Sequence, residues 1–284
     1  MNMPDFLGLI AIITKFALYL GVLGASGVVF CALIFSIEKW KSLAFGFLTI
    51  GFLASIFVFL LKAVVLTGDY TGMTDPEMLA LLWETQSGTV LFIQLVGLSA
   101  LLLGLVLGTP GKVFAAAGGA LAIYAFVTTG HIADRDNWVF TAILFLHLLV
   151  AAFWIGILTP LQQLSSQEHS LDVAAKLGER FGAFATIAVP VLIIAGVIMS
   201  WQLVGSFDAI FATSYGLALL AKIAVVAVLL GLAAANKLRF VPAMLSGDYT
   251  AGQRLSRSIQ LEWIAVLFIL LVTAILTSAL TLPM

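Results

Sequence analysis

The chain has 284 residues and a formal net charge of −1, with 62% of its residues hydrophobic and 10% charged. Soluble domains carry about 25% charged residues, so this chain has too few charges to cover a water-facing surface of its size, and a soluble globular protein is excluded. The single cysteine, Cys31, excludes an internal disulfide and any CxxC metal motif.

The first residues, MNMPDFLGLI, contain no basic stretch. The apolar run behind them is too long for a signal-peptide core, so it reads as a retained membrane helix. A membrane helix needs about 20 mostly apolar residues. Eight such runs follow in order: Phe16–Ile37, Leu43–Thr67, Thr89–Leu107, Val113–Gly130, Trp138–Leu161, Phe181–Val204, Tyr215–Ala235 and Ile259–Leu280. None alternates with the period of a barrel strand, and backbone groups in lipid must bond within their own segment. The expected fold is therefore all-α: a polytopic bundle of eight transmembrane helices, forming one membrane domain over residues 1–284 with no soluble domain.

Charge sets the orientation. The odd connectors hold Lys39, Lys41, Lys112, Lys176, Arg180, Lys237, Arg239, Arg254 and Arg257, nine of the thirteen basic residues. The even connectors hold only Arg135, with the acids Asp69, Asp75, Glu77, Glu84, Asp134, Asp136 and Asp208. Basic loops stay in the cytoplasm, so both termini are expected outside, facing the periplasm or cell exterior. Trp40, Trp83, Trp138, Trp201 and Trp263 fall near span ends, as interfacial anchors do. Gly21, Gly24, Gly27 and Gly118-Gly119 permit close helix approach.

Against this frame a few side chains are out of place. His147 lies inside the uncharged run Trp138–Leu161, roughly 14 Å below the outer surface at 1.5 Å of rise per residue. Lipid cannot solvate an imidazole there, so it must be hydrogen-bonded, metal-bound or facing a wet cavity. Lys222 lies roughly 10 Å down. Lys62 sits one to two turns below the outer surface, where snorkelling is the plain alternative, and Met199 is at a similar depth. His131 sits at the outer mouth beside Asp134. Glu262 opens the last span, five residues after Arg257, a possible ion-pair partner. Trp154 shares the His147 helix face and reads as packing. The outer connector adds Met73 and Met78 among its acids, either a mouth that concentrates cations or a solvated loop. Thioether and imidazole together suit copper. His169 and Cys31 read as solvated and as a small buried apolar group. No phosphate-binding loop, nucleophile–base constellation or basic nucleic-acid face is present, so neither an enzyme nor a nucleic-acid partner is expected; membrane lipid surrounds the bundle.

Several segments then resemble one family in order. Thr129-Gly130-His131, Leu146-His147-Leu148-Leu149 and Phe153-Trp154-Ile155-Gly156 are similar to the TGH…LHLL…FWxG signature of the copper resistance protein D family (CopD, PcoD). Arg180-Phe181, Tyr215-Gly216 with Lys222, Asn236-Lys237 with Pro242, and Arg257-Ser258 with Glu262 resemble its later motifs. The first half resembles it in hydropathy and layout. The resemblance implies copper handling across the inner membrane, with uptake toward the cytoplasm and a separate periplasmic CopC-like carrier as partner. It makes His131 and His147 the leading copper ligands, with Met199, Met73 and Met78 behind them. Lys62, Lys222, Glu262 and Asp134 are charged residues near the route. The ion, Cu(I) or Cu(II), is substrate or ligand. The alternatives are a haem-binding membrane redox protein, since membrane-helix histidines ligate haem iron, and a non-transporting copper sensor or scaffold.

Overall fold

The computed structural model describes residues 6–37, 40–107, 110–128 and 138–279, and every regular element among them is helical. In order these are α1 (Phe6–Phe35), α2 (Trp40–Thr67), a 3₁₀ turn (Tyr70–Met73), α3 (Pro76–Trp83), α4 (Gln86–Val106), α5 (Gly111–Val127), α6 (Trp138–Ser165), a second 3₁₀ turn (Glu168–Ser170), α7 (Leu171–Val204), α8 (Phe207–Ala212), α9 (Ser214–Ala235), a π-helical turn (Asn236–Phe240), α10 (Val241–Leu245) and α11 (Tyr249–Ser278). Seven helices among the described residues are long and apolar enough to cross a membrane. The expected span Val113–Gly130 corresponds to α5, whose 17 residues reach about 26 Å, slightly less than a hydrocarbon core of roughly 30 Å.

Three helices start ten residues ahead of the expected spans. α1 starts at Phe6, so Lys15 is inside it rather than ahead of it. α7 starts at Leu171, which places Arg180-Phe181 a quarter of the way along that helix, not at its start. α11 starts at Tyr249, capped by Asp248, whose carboxylate accepts from the Thr250 N–H. The added turns of α7 and α11 carry charges and fall outside the apolar runs that mark a span, whereas the added turns of α1 are apolar and are set apart from the expected run by Lys15.

The up-and-down order expected from the charges is present. At one end Lys112 donates to the Ala32 carbonyl and lies over the Trp40 ring, and Arg180 donates to the Ile34 carbonyl. Gly252 meets Ser165 and Leu171 at that same end. At the other end Lys15 donates to the Thr277 carbonyl, Lys62 to the Ser87 hydroxyl, and Gln86 to the Thr128 carbonyl.

α1 is the axis of the bundle, packed by α2, α5, α6 and α11. Glycines bring these helices into backbone contact. A Cβ on Gly21 would lie 2.2 Å from the Gly51 nitrogen, and one on Gly27 would lie 1.8 Å from the Ala152 carbonyl oxygen. α4 and α5 meet through Gly97 against Gly118 and Gly104 against Gly111, two pairs each separated by seven residues. With no hydrophobic driving force between helices in lipid, such close approach is a main source of cohesion.

Candidate functional site

The out-of-place side chains gather in the second half of the chain, around α6, α7, α9 and α11. His147 faces the α6–α7 seam, beside the main chain of Leu192. Lys222 of α9 is close enough for its charge to act on the imidazole. The Nδ1 atom of His147 is buried and has no hydrogen-bond partner among the described residues. A buried imidazole nitrogen left without a partner is costly unless something else occupies it.

Seven residues further along α6, roughly 10 Å deeper, is a second polar cluster. The Trp154 indole Nε1 donates to Glu262 Oε2 at 3.1 Å, and Asn236 Nδ2 donates to Glu262 Oε1. Glu262 is only 3% exposed. The expected pairing of Glu262 with Arg257 is replaced by these two neutral donors; the ion pair found among the described residues is Arg254–Asp248, at 4.0 Å. Trp154, read as packing from the sequence, is thus also a hydrogen-bond donor. Asn236, noted there only as part of a motif, opens the π turn. That turn has a local cause. Pro242 has no N–H to give to the Leu238 carbonyl, and the Val241 N–H bonds back five residues to Asn236. Such π turns recur at functional positions.

Trp154, Asn236 and Glu262 line a cavity of about 310 Å³ between α6, α7, the π turn and α11. Its walls are mainly apolar, and Lys237 lines it with its ammonium donating to the Thr186 hydroxyl. Pro190 and Val189 also line it, two and three residues from Leu192, so the cavity extends toward the level of His147. The Asn236 Oδ1 atom is buried without a partner among the described residues.

The remaining candidates are dispersed. Met199 is buried against Phe140, Ile143, Leu144 and Leu203 in an apolar cluster. Met78 packs on Phe59, Ala63, Leu82 and Leu91, and Met73 ends the outer 3₁₀ turn. The outer acids cap local structure. Asp69 caps the 3₁₀ turn by accepting from the Thr71 N–H, which holds its carboxyl below the usual carboxylate range. Asp75 caps α3 by accepting from Glu77 and Met78. Lys62 lies near Lys15, a second ammonium in the outer half that the expected start of the first span hid. Cys31 is buried with its thiol on the Phe153 carbonyl, and His169 is exposed, as expected. His131 and Asp134 lie outside the described residues. Among the described residues no group of three His, Cys, Asp or Glu side chains is close enough to hold a metal ion.

Two family models match. "Copper resistance protein D-like, N-terminal domain" covers residues 3–140, and "Copper resistance protein D" covers residues 175–276. The first half, which resembles the family in hydropathy and layout, thus has its own match, while His147 and Trp154 lie between the two matched ranges. A copper transport protein, CutJ, of Bacillus subtilis (strain 168) is 28% identical over 211 residues, 69% of this chain and 37% of the relative. The chain therefore corresponds to well under half of that protein's length. Copper resistance protein D of Pseudomonas syringae pv. tomato is 26% identical over 241 residues, 78% of this chain and 77% of the relative. No solved structure matches the chain. The helical membrane architecture and the two matches together establish that this multi-pass inner-membrane chain belongs to the copper resistance protein D family.

Proposed function

We propose that the chain moves copper ions across the membrane through its second half, inward from the periplasm, with His147 as the intramembrane ligand. One observation carries this reading: Nδ1 of His147 is buried near mid-membrane with no partner among the described residues. A neutral imidazole nitrogen is a good donor to copper in either oxidation state. The relatives' names, copper transport and copper resistance, support copper as the cargo. His131 and Asp134 act ahead of His147 at the outer mouth, where a separate CopC-like carrier delivers the ion.

Lys222 shapes this step. An ammonium beside His147 opposes a cation there, so loading requires Lys222 to give up its proton or swing away. The test is uptake of Cu(I) into sealed vesicles under anaerobic conditions, with elemental analysis of the same purified protein. Wild type is expected to take up and bind copper, and His147→Ala to lose both while remaining in the membrane at the same level. Unchanged uptake in His147→Ala removes the central claim. Copper bound without flux supports the sensor or scaffold reading, and near-equimolar iron without copper supports the haem reading.

A further inference from the structure

The copper reading above gives no role to Glu262, a carboxyl buried inside the bundle near the inner end of the last span. Its surroundings, element by element, are specific. From α6 it meets the Trp154 indole and from the π turn the Asn236 amide, both neutral donors. Lys237 lines the same cavity but donates to Thr186 of α7. The part of α7 that walls the cavity, from Gly178 to Pro190, puts no carboxylate or ammonium of its own into it. From α9 come Leu230, Ala233 and Ala234. An ionised carboxylate held only by neutral groups at this depth lacks the counter-charge that buried ions need. A second oxygen, Asn236 Oδ1, is buried beside it without a partner among the described residues. The cavity therefore presents the Glu262 carboxyl to whatever small positive species enters it.

We infer that Glu262 is a proton–cation exchange site in the inner half of the membrane. With no cation in the cavity, Glu262 carries a proton. When copper, on the reading proposed above, moves from the level of His147 into the cavity, the carboxyl O–H bond breaks. The carboxylate then takes the cation. The proton leaves to water at the inner end, and no electron moves. When the ion departs, a proton from the inner side returns to the carboxylate. Oxygen ligands hold Cu(I) less firmly than imidazole does, which suits a place of departure following a place of capture.

The test is infrared difference spectroscopy of the detergent-purified full chain near neutral pH, before and after anaerobic Cu(I) addition, with proton release followed by an indicator dye in weak buffer. Cation-free wild type is expected to show a carboxylic C=O band that is absent from Glu262→Gln. Copper should abolish that band and release about one proton per ion held there. In Asn236→Leu the band should persist at a shifted frequency, because a hydrogen bond to the carboxyl is gone while the carboxyl remains; this variant guards against a misfolded Glu262→Gln. Absence of the band from cation-free wild type overturns the exchange site whatever copper does. A band that survives copper, in protein whose copper is lost in His147→Ala, overturns the exchange but leaves the copper reading standing. A protein that binds no copper at all overturns the copper reading, and the exchange falls with it.

Discussion

The two halves of the molecule solve different problems. In α1 to α5 helices touch through glycine. Sixteen of the thirty residues of α1 are buried, and its contacts to α2 and α6 are backbone against backbone. From α6 onward the packing is looser and the polar groups go inward. Only Tyr215, Gly216 and Leu229 of α9 are buried, and the space between α6, α7 and α11 is a cavity with a carboxyl on its wall. Cohesion in lipid comes from close contact between small residues; a path for an ion needs space and unmatched polar atoms. One contact cannot supply both; the close glycine contacts lie mainly in the first half and the cavity lies in the second. The two matched family ranges, residues 3–140 and 175–276, fall on the two sides of that division, with most of α6 between them.

The sharpest way to break the division is at its seam. Gly27 of α1 lies against Ala152 and Gly156 of α6, with 1.8 Å between a would-be Cβ and the Ala152 carbonyl oxygen. Gly27→Leu cannot be accommodated by rotating a side chain, because the obstruction is backbone. Overpacking a rigid site commonly costs about 1–3 kcal/mol and can cost more; here separation of α1 from α6 and loss of membrane-inserted protein are expected. The check is thermal unfolding in detergent together with membrane abundance. Gly46, whose Cβ would meet nothing within 4 Å, is the control, and Gly46→Leu should leave both unchanged.

Lys222 sharpens the comparison from the other side. It lies close to His147, which on the proposed reading puts it beside the cargo rather than in a cohesive contact. Lys222→Met should leave abundance near wild type. If the ammonium opposes copper at His147, wild-type uptake rises as the pH is raised and Lys222 gives up its proton, and Lys222→Met flattens that rise. An unaltered pH profile in Lys222→Met would show that the lysine does not gate loading.

What the sequence discloses follows the same line. The helices, their order and their alternation across the membrane were legible, because hydropathy and the placement of lysine and arginine report directly on lipid and on the cytoplasmic side. His147, Lys222 and Glu262 were also legible, since a polar group in an apolar run is conspicuous. Their partners were not. Trp154 looks like any aromatic in a membrane helix, and its bond to Glu262 joins residues 108 positions apart. Asn236 sits at a span end, where a polar residue is unremarked; only the π turn before Pro242 directs it inward. Gly97 and Gly104 were not legible as contacts, because a glycine's role depends on which helix faces it.

Met199→Leu tests a smaller claim. The thioether packs among Phe140, Ile143, Leu144 and Leu203, so this near-isosteric change should cost less than about 1.5 kcal/mol and leave copper binding unchanged. Loss of bound copper at normal stability would make Met199 a ligand.

The smallest effect is expected in the outer connector, where charge and structure can be separated at one residue. Asp75 accepts from the Glu77 and Met78 N–H groups at the start of α3, with Pro76 in the first helical position. A cap of this kind contributes roughly 1 kcal/mol, and asparagine supplies it as well as aspartate does. Asp75→Ala should therefore lower stability by about that amount, while Asp75→Asn keeps it and removes only the charge. If the acid is there to cap, copper uptake at limiting copper is the same in Asp75→Asn as in wild type. If the connector concentrates cations, Asp75→Asn takes up copper more slowly, most visibly at low ionic strength where screening is weakest. The two variants thus distinguish an acidic mouth from a capped helix, which the spacing of the acids in the sequence cannot do.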